Sequence, residues 1–182
     1  MATIINADTS NGLKLTSDTS GIIQLQSGGT TKATVSSSGL TSPGHVLQVV
    51  YGMSQIVVTT TTGGAGAAFT STGVTATITP SSTSSKIYIL TKTTARSVSS
   101  SDIVTAIFRG TVSGTNLTGN ASTKYNNQNS EPSDMVNMHL DSPSTTSATT
   151  YTLGFKSSVS GQTSTVNDAS TEGTITLLEV AA

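Results

Sequence analysis

Two histidines, His45 and His139, are the only imidazoles in a chain of 182 residues that contains no cysteine. Without a thiolate, disulfides and sulfur-ligated metal sites are excluded. His139 and Asp141 stand two apart in an apolar–polar alternation that reads as a strand, so they share a face with Asn137. Two ligands on one strand could begin a metal site. A third would have to come from as far away as Asp134 or His45, with no supporting spacing. A solvent-facing polar stripe opposite Val136, Met138 and Leu140 accounts for the same pattern and is the expectation. No metal and no cofactor is expected.

The other reactive residue types are equally short of partners. Serine is abundant, but no Gly-x-Ser-x-Gly elbow is present and only two histidines could act as base. Carboxylates are few and scattered. Glu131 and Asp134 fall in a Pro-containing stretch that reads as a loop, with no burial signal for glycosidase work. Gly63 to Gly66 lacks the Lys-Ser/Thr that a phosphate-cradling loop needs. Asn116-Leu117-Thr118 and Asn120-Ala121-Ser122 match glycosylation acceptors by chance composition, since Met1 to Asp8 carry no cationic start or long apolar run of a signal peptide. No catalytic residue is expected. For binding, the polar stretch Ser113 to Ser133 has the best claim: Asn116, Asn120, Asn126 and Asn127 could hydrogen-bond a sugar, and Tyr125 could stack on it. An exposed connection in a Ser/Thr/Asn-rich chain explains the same residues.

Composition explains why these side chains are so isolated. Only 9% of residues are charged, 4% are aromatic and Trp is absent. Ser and Thr supply about a third of the chain, well above their share in an ordinary globular domain. With a net charge of -1 and no basic stripe, nucleic-acid binding is not expected. No apolar run approaches a membrane span, so no membrane partner is expected. A chain thin in large apolar residues and free of disulfides gains stability most simply by burying a face between subunits.

The elements that must carry these residues are strands. Sustained apolar spacing at three and four residues is absent, whereas alternation at two recurs throughout. Residues 1–43 form a first region, punctuated by Asn11-Gly12, Ser20-Gly21, Gly28-Gly29, Ser38-Gly39 and Pro43-Gly44. Between these turns lie short β-prone runs whose apolar residues, Leu13, Leu15, Ile22, Ile23, Leu25 and Val35, are too few for a core of their own. They are the expected trimer or docking contacts. Residues 44–182 read as a β-sandwich of about eight strands, jelly-roll-like. Val74, Ala76 and Ile78 alternate with Thr75, Thr77 and Thr79. Ile103 to Val112 is apolar on both faces until Arg109, as an interior or subunit-facing strand would be. The fold class is therefore all-β.

Several stretches of the second region go together: Val74-Thr75-Ala76-Thr77-Ile78-Thr79-Pro80, Ser84-Ser85-Lys86-Ile87, Phe108-Arg109-Gly110-Thr111, Gly119-Asn120-Ala121-Ser122 and Leu140-Asp141-Ser142-Pro143. With Thr149-Thr150-Tyr151-Thr152-Leu153 and the run Thr174 to Val180, they resemble a β module of phage fibre and decoration proteins, especially of aquatic and cyanobacterial phages. Gly12 to Thr16 through Gly39-Leu40-Thr41 is similar to a segment that often precedes such modules. The resemblance implies a virion surface protein, made in the host cytoplasm and usually homotrimeric; it supplies no catalytic or ligand residue. The expected role is a capsid decoration or cement protein touching the major capsid protein or other virion proteins. The alternative is a short tail fibre or fibre tip that recognises a host-surface glycan.

Overall fold

Gly28 and Gly29 both take positive φ, 58° and 74°, the backbone that a two-residue type I′ hairpin demands. They join β1 (Ile23–Ser27) to β2 (Thr30–Ser36), and β3 (Gly39–Thr41) adds an antiparallel third strand. This computed structural model describes residues 20–37, 39–97, 101–119, 124–126, 132–168 and 171–182. Leu13, Leu15, Asn120 and Asn127 lie outside the described residues. The chain divides into two units between Pro43 and Gly44, each described by itself.

The second unit opens with β4 (Val46–Ser54), β5 (Val58–Thr60), β6 (Thr70–Ile78) and β7 (Lys86–Ser97). It continues through β8 (Asp102–Arg109), β9 (Thr115–Asn116), β10 (Lys124–Asn126) and β11 (Ser133–Asp141). It ends with β12 (Thr149–Ser157), β13 (Ser164–Val166) and β14 (Gly173–Val180). One sheet runs β11-β7-β14-β4, with β13 and β5 continuing the β14 and β4 side. The other runs β10-β8-β12-β6, with β9 also on β8. Numbering only the eight principal strands along the chain, the sheets read 1-8-3-6 and 2-7-4-5. That interleaving of two Greek keys is the jelly roll.

Strand chemistry follows the two layers. Val74, Ala76 and Ile78 on β6 are buried while Thr75 and Thr77 between them are exposed. Ile175 and Leu177 on β14 meet Ile87 and Ile89 of β7 and Leu153 of β12 in the main core. Ala95, Ile103, Met135, Phe155 and Val166 form a second cluster. β8 does not alternate, and it is interior: Val104, Ala106 and Phe108 on its outward side are buried too. The Phe69 ring meets Phe108 edge-on at 5.2 Å, and Lys156 caps Phe69 at 4.8 Å while donating to the carbonyls of Gly64 and Ala67. This lysine clamp folds the Gly63 to Phe69 loop over the sheet.

β4 passes close to β6 at Gly52. A Cβ on Gly52 would lie 2.1 Å from the Thr75 carbonyl oxygen, so only glycine fits there.

Candidate interaction surface

β11 corrects the sequence reading. Its polar residues point into the sandwich: Asn137 and Asp141 are buried and His139 is half-buried, while Val136, Met138 and Leu140 are exposed. The expected solvent-facing stripe is thus an inward one. Alternation divides a strand into two faces but leaves open which face meets the other sheet. Here the inward face finds polar partners on the opposite layer. Arg109 Nε donates to Asp141 Oδ2 at 2.8 Å, its Nη2 donates to Oδ1, and Tyr151 Oη donates to Oδ2 at 2.7 Å. Asn137 Nδ2 donates to Thr105 Oγ1 at 2.9 Å. Asp134, read from the sequence as a loop residue, lies on β11 and pairs with Lys92 at 3.0 Å.

Burial opposes ionisation of Asp141, but hydrogen bonds from Arg109 and Tyr151 and the guanidinium charge outweigh it, holding the carboxyl below its ordinary range. Burial first, then the bond to Asp141, pushes the Tyr151 phenol well above its ordinary value, so it remains a donor. The bond to Asp141 likewise raises the Arg109 guanidinium. Such a trio resembles catalytic machinery in residue type alone. Each member satisfies another, and the three tie β11 to β8 and β12.

Two further polar clusters work the same way. Asn167, held at φ 55°, donates through Nδ2 to the carbonyls of Ile56 and Thr72 and accepts at Oδ1 from Thr93 Oγ1. The fully buried Glu179 accepts from Ser81 N (2.7 Å), Ser81 Oγ (2.6 Å) and Gln48 Nε2 (2.6 Å). Burial opposes its ionisation too, and the bonds from Ser81 and Gln48 prevail, so its pKa is lowered. Few of these contacts were legible locally: apart from Tyr151 and Asp141, ten residues apart, the partners lie more than thirty residues away in the chain. Among the described residues no three His, Cys, Asp or Glu side chains converge as a metal site would require, and no helix is long and apolar enough to cross a membrane.

The expected binding residues that are described lie along one edge. Asn116 on β9 pairs opposite Phe108, and Tyr125 and Asn126 on β10 pair opposite Ile103 and Asp102, all on the same side of β8. The five-residue offset along β8 is about 17 Å at strand rise. Asn116 turns its amide inward on the loop, accepting from Thr118 N and donating to the Gly119 carbonyl. In the first unit, Ile23, Val35 and Leu40 form one cross-strand row, with Leu25 beside it on the same face. Ile22 falls on the opposite face, lining a shallow groove with Ser20, Gln24 and Gln26.

The two outward faces of the sandwich differ sharply. The β6–β12 face presents a threonine ladder, in which Thr77 pairs with Thr150 at 2.8 Å and Thr75 Oγ1 donates to the Tyr151 carbonyl. The β4–β14–β7–β11 face is largely apolar. Its first row across the strands is Val49, Leu178, Tyr88 and Leu140. The next is Tyr51, Thr176, Leu90 and Met138, with Tyr88 Oη donating to Met138 Sδ at 3.2 Å. The third is Met53, Thr174, Lys92 and Val136. No sequence signal singled out this face, because each strand contributes only two or three of its residues.

No protein-family model matches the chain, and no curated protein sequence does. Among solved structures it is similar to a D431N mutant VP2 protein of infectious bursal disease virus in derived T=1 particles, at TM-score 0.42 and 13% identity, over 78% of this chain and 37% of that one. It is also similar to structures of the Gt strain of that virus (TM-score 0.44, 12% identity, 86% and 42% covered) and of its Gx strain (0.42, 13%, 86% and 40%). The chain spans about two fifths of the length of those chains. At that score the likeness assigns no function.

Proposed function

We propose that this protein is a non-enzymatic structural component of a bacteriophage particle, a homotrimeric decoration protein on the outside of the head. The observation that carries the reading is the disposition of polar chemistry in the β domain. Asp141 with Arg109 and Tyr151, Asn137 with Thr105, and Asn167 with Thr93 are bound to one another between strands. The first two join the sheets, as a scaffold requires, and Asn167 joins them through the Thr72 carbonyl of β6. The resemblance of the β6, β8, β12 and β14 sequences to phage fibre and decoration modules supplies the setting.

In this reading residues 1–43 dock on the major capsid protein or another virion protein, using the apolar row of Ile23, Val35 and Leu40 with Leu25. A trimer seated where capsid subunits meet binds the assembled shell and not its separated parts, so it stabilises the shell by mass action. The test is localisation on purified particles by immunogold labelling and cryo-electron microscopy. Label distributed over the head supports the proposal. Label confined to the tail tip replaces it with a glycan-reading fibre, and absence from particles overturns both.

A further inference from the structure

We infer that the apolar face formed by β4, β14, β7 and β11 is a subunit contact, covered by another copy of this chain. The inference rests on the self-association proposed above and is independent of where the protein acts. A sheet that carries apolar residues on both faces is built to be covered on both. Inside, Ile175, Leu177, Ile87 and Ile89 pack on the second sheet. Outside, Val49, Tyr51, Met138 and Leu140 are each more than half exposed in the isolated chain, with Met53 and Leu90 beside them. The threonine ladder of the opposite face shows that the same fold can present a wettable outer layer. The difference is written into the residues.

Exposure and charge identify the occupant. Seven apolar side chains of the face, Val136 among them, are 38–61% exposed and contiguous across four strands, a patch of the kind that marks an interaction site on a folded chain. Its charges are nearly balanced locally: Lys92 is paired with Asp134 at 3.0 Å, and Lys86 at the margin donates to Ser142 Oγ at 2.8 Å. A nucleic acid, an acidic receptor or an anionic membrane would find no complementary field here. A second copy brings a matching neutral, Tyr- and Met-containing surface. Aromatic residues and methionine are also what protein interfaces concentrate at their centres.

The absence of cysteine permits a direct test on the full chain. Single Met138→Cys and Thr77→Cys variants are labelled with a maleimide, and their mass is read by light scattering. The expected result is an oligomer in which Cys at position 138 labels about tenfold or more slowly than Cys at position 77. A double Met138→Asp, Tyr51→Asp variant should fall to the mass of one chain with its β-type circular dichroism intact, while Thr77→Asp remains oligomeric. An oligomer that survives the double substitution, or equal labelling rates, overturns this surface but leaves self-association standing. A wild-type chain of single-chain mass overturns both, including the case in which it instead floats with neutral phosphatidylcholine vesicles. Neither outcome bears on whether the protein is found on virions.

Discussion

Asp141 on β11 and Arg109 on β8 face each other across the two sheets, and the carboxylate takes two bonds from the guanidinium while Tyr151 supplies a third. The pair joins the two layers, as do the Asn137–Thr105 and Asn167–Thr72 bonds. Removing the carboxylate strands a partly buried cation and an aimed phenol. Asp141→Ala is expected to cost about 2–4 kcal/mol, the lower part of the range for a broken buried pair, because Arg109 is one third exposed and water relieves some of the loss. Urea unfolding followed by circular dichroism measures it.

The same pair sets part of the acid sensitivity. The folded-state pKa values of Asp141 and Glu179 lie below their ordinary values, so each contributes stability that is present above the unfolded pKa. That contribution is lost as pH falls through the folded value, in a window beginning at about pH 4. The chain should therefore lose stability as the pH falls below about 4. In the Asp141→Asn variant the loss over that window should be smaller, starting from a lower neutral-pH stability. Thermal melts across a pH series give both slopes.

Asn167 makes a sharper prediction, because its amide does what no carboxylate can. Its Nδ2 faces the carbonyls of Ile56 and Thr72, so Asn167→Asp sets a negative oxygen against two acceptors. The variant should lose about 3 kcal/mol or more at neutral pH and regain part of it below about pH 5, when protonation restores one donor. Asn167→Ala should lose a similar amount with no such recovery.

At Gly52 the constraint is steric. Gly52→Ala drives a methyl into the Thr75 carbonyl and forces β4 away from β6, at a cost of about 3 kcal/mol. Thr77→Ala, on the exposed ladder of the same neighbourhood, should change the melting temperature little.

For the division of labour between the two units, deletion of residues 1–43 is the informative change. The remaining 44–182 should keep its β-type circular dichroism and a cooperative melt, and should no longer bind particles stripped of the protein. Binding that survives would place the docking contacts in the β domain.

How far the sequence reaches can be judged strand by strand. β6 was readable because Thr alternates with Val, Ala and Ile, and only one assignment of faces buries that apolar set. The Gly28-Gly29 turn was readable because few residues adopt its backbone. β11 was misread by the same logic. Val136, Met138 and Leu140 look like a core face only until Arg109, Tyr151 and Thr105 are known to stand opposite Asp141 and Asn137. Asn116 was readable as polar, but not as folded onto its own loop.

By itself, then, the sequence determined the strand content, the turns and the poverty of reactive side chains, since these follow from local backbone preference and residue type. Tertiary structure alone decided which side of β11 is inside, that the buried acids are clamps, and that Val49, Tyr51, Leu90 and Met138 share one outer face. The reason is physical. Hydrogen-bond partners and sheet neighbours are set by registers between strands distant in the chain, and a period of two carries no record of what lies across the gap.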